Sequence, residues 1–183
     1  MTLPRKRWSS SSAARWSAKT AAAPLSRRSG PDAYAGAVNT ALPPSALALS
    51  ATDLELVELA RSTIDAATDA GPGEDGIHTM GAAVRSADGR MFAGVNLYHF
   101  TGGPCAELVA LGAARAAGAT KLTHIVAVGN HGRGIKSPCG RDRQVLADYH
   151  PDIRVITPAP GGPVSVVAQD LLPLCFDLRA EQA

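Results

Sequence analysis

Two proline–cysteine pairs, each opening a helix-like stretch, constrain this chain more than anything else in it. One is Gly103-Pro104-Cys105-Ala106-Glu107, and the other is Ser137-Pro138-Cys139-Gly140-Arg141-Asp142-Arg143. If both serve one site, the fold must bring two helix N-termini together at the sulfurs. Two positive helix ends there favour deprotonated thiols. Cys105 and Glu107 are two apart in a first turn and can face one pocket. Asp142, three residues after Cys139, lies on the same helix face as that cysteine.

This donor set suits a metal ion. Zinc takes thiolate, imidazole or carboxylate, and a catalytic zinc keeps three protein ligands with the fourth position open to water. Two thiolates and one carboxylate leave the same formal charge on zinc as three thiolates would. The oxygen ligand reaches further from its backbone but makes a shorter bond, about 2.0–2.2 Å against 2.3 Å for sulfur. It also weakens the preference for zinc over harder metals. A carboxylate such as Glu107 beside the ion is placed to move protons. Taken singly, each residue has an ordinary reading. Cys105 is a small hydrophobe on an alanine-rich helix, Asp142 a surface charge between Arg141 and Arg143, and Glu107 a favourable charge at a helix start. Their order and spacing together point to a metal site with Cys105, Cys139 and Asp142 as ligands.

The chain has 183 residues, the size of one ordinary domain. Its three cysteines, Cys105, Cys139 and Cys175, are an odd number, so a disulfide framework is not expected and a reducing compartment is. No apolar run approaches the roughly 20 residues of a membrane helix. Seven of the 18 Lys/Arg but only one of the 16 Asp/Glu fall in residues 1–50, leaving eleven basic against fifteen acidic residues beyond. That later part is mildly acidic and carries no electrostatic footprint for nucleic acid. Residues 1–50, rich in Ser, Ala, Arg and Pro, read as a disordered or targeting-like tail, and residues 51–183 as the zinc domain. The location expected is cytoplasmic, or an organelle if the tail is a transit peptide.

Thr52 reads as the N-cap of a helix over about 53–70, stopped by Gly71-Pro72-Gly73. Strands are expected at Met80–Val84 and Met91–Leu97 around an Asp88-Gly89 turn, then a helix from Cys105 to Gly118. A buried strand follows at Leu122–Val128 and a helix at Pro138–Tyr149. Two strands, Ile153–Ile156 and Val164–Val167, complete the order α-β-β-α-β-α-β-β, a mixed sheet with helices on both faces.

The pattern Cys-x-Glu followed by Pro-Cys-x-x-Asp resembles the zinc-deaminase signature, which has a third cysteine at the last place. The wider sequence resembles the cytidine deaminase superfamily, and within it the blasticidin S deaminase branch. The likeness runs from Asp88-Gly89-Arg90 through Gly94-Val95-Asn96-Leu97-Tyr98-His99-Phe100-Thr101-Gly102-Gly103 into the first motif. It resumes from Gly134-Ile135-Lys136 through the second, and covers about residues 52–178. It implies a three-layer α/β/α sandwich around a five-stranded mixed sheet, and a homotetramer with pockets near subunit interfaces. It implies zinc held by Cys105, Cys139 and Asp142, with Glu107 as proton shuttle. Asn96 and Tyr98 stand where the family binds the sugar, Tyr98 replacing a glutamate. Arg133 stands where an arginine damps the charge of the thiolates. Phe176, in Leu172-Pro173-Leu174-Cys175-Phe176, matches a tail phenylalanine that stacks near a neighbouring pocket. Leu178 stands where the branch has tryptophan.

The function implied is zinc-dependent hydrolytic deamination of a cytosine-type nucleoside, blasticidin S or cytidine-like. Water attacks C4, ammonia leaves, and the backbone around Cys105, Ala106 and Cys139 orients the ring amine. Asp142 keeps two further readings open: a degenerate deaminase that only binds a nucleoside or assembles, and a deaminase of another aminated heterocycle. Cys175 is a weaker stand-in for the third ligand. The partners expected are a small-molecule nucleoside and copies of the chain, with no nucleic acid and no membrane.

Overall fold

The computed structural model describes residues 41–177 and Ala180. The tail expected over residues 1–50 therefore lies outside the description up to residue 40, and so does Leu178. Among the described residues three helices and seven strands follow in the order β1 (Leu47–Ala48), α1 (Ala51–Ala67), β2 (Met80–Ser86), β3 (Met91–Val95), α2 (Ala106–Ala116), β4 (Leu122–Gly129), β5 (Gly134–Lys136), α3 (Gly140–Tyr149), β6 (Arg154–Thr157) and β7 (Val164–Val167), with a 3-10 turn at Ala168–Leu171.

The strands form one mixed sheet in the order β1-β7-β6-β4-β2-β3, with β5 pairing the end of β4. Only β4 and β6 run parallel, joined by the crossover through α3. Five longer strands match the expected sheet. The short β1 and β5 extend it. β1 pairs Leu47 with Ser165 and Ala48 with Val164, so chain ahead of residue 51 takes part in the sheet.

Strand alternation sorts the core into two faces. Ala82, Val84, Ile125, Ala127 and Val155 pack with the buried alanines of α2 and with Leu146 of α3. Ala83, Val126, Val128 and Ile156 pack with Leu56 and Ala60 of α1. The result is the expected three-layer sandwich, α1 on one side and α2 with α3 on the other. Small residues set how close the helices lie. A side chain at Gly94 would put Cβ 2.7 Å from the Ala110 backbone nitrogen, and one at Gly81 would put it 2.5 Å from the Ala60 carbonyl.

Helix α1 begins earlier than expected. Ser50, not Thr52, is the N-cap: it accepts from the Asp53 backbone, while the Asp53 carboxylate accepts from the Ser50 backbone at 2.9 Å. The helix stops at Ala67, ahead of the Gly-Pro-Gly, because Thr68 takes extended backbone angles.

Candidate active site

Cys105 and Cys139 are the N-cap residues of α2 and α3, both in extended conformation and neither using its side chain to cap. Both sulfurs therefore stand free at a helix start. Two close approaches hold these starts. Gly103 packs so tightly on the Leu97 carbonyl that no side chain fits there, and the Leu97 backbone donates to the Pro104 carbonyl at 3.1 Å. Ahead of α3, the Ser137 and Thr157 hydroxyls lie 3.1 Å apart, tying the loop to the end of β6.

The two sulfurs lie 3.6 Å apart, and the Cys139 thiol donates to Asp142 Oδ2 at 3.2 Å. One donor atom from each of Cys105, Cys139 and Asp142 falls within 4.8 Å of the others. Two sulfurs on one tetrahedral zinc stand roughly 3.8 Å apart, so the spacing suits a shared ion. Asp142 carries a second sign. It is 1% exposed, and its Oδ1 is buried with no hydrogen-bond partner. Such an orphan costs roughly 1–3 kcal/mol unless something takes its lone pairs. A cation between the sulfurs and this carboxylate would do so. The donors present therefore fit a zinc-type ion.

Glu107, in the first turn of α2, is 6% exposed and sits beside this group. Burial, and then the charge of Asp142, push its carboxyl up to about 7. Burial likewise pushes the Cys105 thiol up to about 12; Asp142 and Cys139 add to this, and Arg141 opposes it. Acidic groups crowded together drive one another toward neutral forms, and a bound divalent cation reverses that logic.

The guanidinium that hydrogen-bonds a sulfur belongs to Arg141. Its Nη2 donates to Cys105 Sγ at 3.5 Å and to the Gly103 carbonyl at 2.9 Å. Arg133, expected in that role, donates instead to the Thr79 carbonyl. Arg143 turns into the fold, donating to the carbonyls of Pro138 and Leu171. The sequence offered Arg141 and Arg143 on either side of Asp142 with nothing to tell them apart. Their two- and four-residue offsets from the Cys139 cap point them to different surroundings only once the loop is built.

The expected substrate-wall residues are placed unequally. Ala106 is fully buried beneath the α2 start. Asn96 lies at the end of β3, but its amide serves the backbone: Oδ1 accepts from Thr79 and Met80 at 3.0 and 2.9 Å, and Nδ2 donates to the Ile77 carbonyl at 2.8 Å. One amide hydrogen remains for a ligand. Tyr98 is exposed on the loop before Cys105, beside the exposed Leu97 and Phe100. Phe176 is also exposed, its carbonyl held by Gln144 Nε2 at 3.0 Å. Cys175 lines a hollow with Ala147, Asp148 and Pro151 at the far end of α3, about 12 Å along the helix from Cys139. It does not join the donor group. A larger hollow, about 580 Å³, lies between α2 and α3 against Leu111, Val145 and His150. Neither hollow is lined by Cys105, Cys139 or Asp142.

No protein-family model matches the chain. Among curated proteins it is similar to the blasticidin-S deaminase of Bacillus cereus, 35% identical over 137 residues, which span 70% of this chain and 94% of that protein. Among solved structures it is similar to a cytidine deaminase from Burkholderia pseudomallei, at 32% identity and a TM-score of 0.54, covering 67% of this chain and 98% of the other. A cytidine deaminase from Mycobacterium tuberculosis gives 27% identity and a TM-score of 0.54, covering 69% and 98%.

Proposed function

The chain belongs to the cytidine deaminase superfamily and is a hydrolytic deaminase; on that premise we propose that it removes the 4-amino group of a cytosine-type nucleoside, with zinc held by Cys105, Cys139 and Asp142. The observation that carries the metal assignment is the buried Asp142 carboxylate, one oxygen on the Cys139 thiol and the other without a partner, beside two sulfurs 3.6 Å apart. Zinc bound there would supply Lewis-acid activation of a water, lowering its pKa to about 7.

The residues of the chain do the rest. Glu107 takes the proton released by the attacking water and hands it to N3 of the ring; it then carries the proton of the new C4 hydroxyl to the amine as the C4–N bond breaks, leaving a C4 carbonyl and ammonia. Its burial supports this role, since a carboxyl poised near neutrality can both accept and donate. Arg141, on Cys105 Sγ, offsets part of the negative charge the ligands bring. The backbone at the starts of α2 and α3, around Ala106 and Cys139, orients the ring amine. The free hydrogen of Asn96, together with Tyr98, forms the sugar side. The named activities of its relatives make blasticidin S and cytidine the two substrates of first choice.

The homotetramer belongs to this proposal. The exposed apolar residues Leu97, Tyr98, Phe100, Leu174 and Phe176 support it, as does a site whose Cys139 opens to solvent. Among the described residues no helix is long and apolar enough to cross a membrane.

The test is ammonia release from cytidine, deoxycytidine and blasticidin S by zinc-loaded protein, with mass measured by light scattering. Release from at least one of them is expected. A zinc-loaded tetramer inert toward all three would move the substrate to another aminated heterocycle.

A further inference from the structure

We infer that Cys105 and Cys139 are a metal-or-disulfide pair: the two sulfurs either share a cation or, without it, are oxidised to a bond with each other. The disulfide rests on sulfur geometry alone. Only its competition with a cation rests on the metal reading given above.

Four observations carry this. The sulfurs are 3.6 Å apart, and a bond of about 2.05 Å needs them to close by roughly 1.5 Å. Neither side chain caps its helix, so closing the pair breaks no capping bond and gives up only the Cys139–Asp142 and Arg141–Cys105 contacts. Cys139 is exposed and Cys105 partly so, which lets an oxidant reach the pair. The fourth observation is Asp142. Where three thiols ligate, oxidising any two leaves one behind. Here the pair is unique, and its oxidation removes every sulfur donor, leaving a lone carboxylate. Cys175, at the far end of α3, offers no competing partner.

With a peroxide as oxidant the steps balance. The Cys139 sulfur attacks one peroxide oxygen. An S–O bond forms, the O–O bond breaks, and the departing hydroxide leaves as water with the thiol proton. The Cys105 sulfur then displaces the new hydroxyl from Cys139. An S–S bond forms, the S–O bond breaks, and the Cys105 proton leaves with the hydroxide as a second water. Two thiols lose two electrons, and one peroxide becomes two waters. A dithiol reductant reverses the oxidation.

The full chain is stripped with a chelator, treated with one equivalent of hydrogen peroxide, alkylated, and weighed intact and after digestion. The expected result is loss of two of three alkylatable thiols, loss of two hydrogens in mass, and a linked peptide pair containing Cys105 and Cys139. Dithiothreitol should restore all three thiols. Cys175→Ser should form the same link, while Cys105→Ser should form none. Chain preloaded with one zinc should keep its thiols over the same interval. A link through Cys175, or over-oxidised Cys139 beside a free Cys105, overturns the pairing and leaves the metal reading untouched. Equal oxidation with and without zinc, the link still forming, overturns the exclusivity and counts against the metal reading instead.

Discussion

A carboxylate and a thiolate at position 142 leave the same formal charge beside a cation, but not the same softness. Asp142 is buried, with one oxygen on the Cys139 thiol and the other without a partner. Asp142→Cys should therefore tighten zinc by roughly tenfold, about 1.4 kcal/mol, and Asp142→Ala should lose it. Competition with a chromophoric chelator reads both; equal affinities for wild type and Asp142→Cys would mean that oxygen serves as well as sulfur. At this scale the grouping of the donor residues was legible from the chain. Cys105, Glu107, Cys139 and Asp142 are set by short spacings that the helix starts preserve. Arg141 and Asn96 were not legible. Which arginine reaches a sulfur depends on the loop before α3. Asn96 was expected on the sugar side, yet most of its amide holds Ile77, Thr79 and Met80.

At the scale of elements, α1 and α2 are placed by close packing on the sheet. Gly94 lets α2 lie against β3, and Gly81 lets α1 lie against β2. Gly94→Ala and Gly81→Ala should each cost about 1–3 kcal/mol through overpacking. The consequences for the site differ. Gly94→Ala pushes on the helix that carries Cys105 and Glu107, so it should also lower deaminase turnover. Gly81→Ala presses on the opposite layer and should leave turnover near wild type. Urea unfolding and steady-state rates on both variants check this, and equal loss of turnover would contradict it. Hydrophobic runs and turn residues made the helices and longer strands readable. They failed for β1 and β5, two and three residues long, whose strand state comes from pairing with β7 and β4. Thr52 was read as the cap because it precedes the apolar run, but the reciprocal bonds between Ser50 and Asp53 decide the start.

Across the whole molecule, pH acts on the fold through two histidines. His124 lies in a row with Arg85 and Arg154 across β2, β4 and β6, with Asp53 Oδ1 3.6 Å from its Nε2. Burial lowers its pKa, and the two arginines add to this; Asp53 pulls the other way without prevailing, since the ring is desolvated between two guanidiniums. Burial, then Arg115, lowers the pKa of His150. In the unfolded chain both titrate near 6.5. Below that pH the unfolded state binds more protons, so stability should fall as pH drops from about 7 toward 5. Glu107, raised to about 7, acts in the opposite sense over that window. The comparison therefore belongs in a Glu107→Gln chain with chelator present, by urea unfolding at both pH values. Replacing both histidines with asparagine should flatten the dependence, and an unchanged slope would remove them as its source.

The proposal that one zinc and one carboxylate share the work is tested most directly on Glu107→Gln, by measuring zinc per chain and ammonia release on the same samples. The expected result is one zinc per chain, as in wild type, with turnover down by about 10²–10⁴. Glu107→Gln protein that releases ammonia at the wild-type rate, or wild-type protein that does so without zinc, would contradict it.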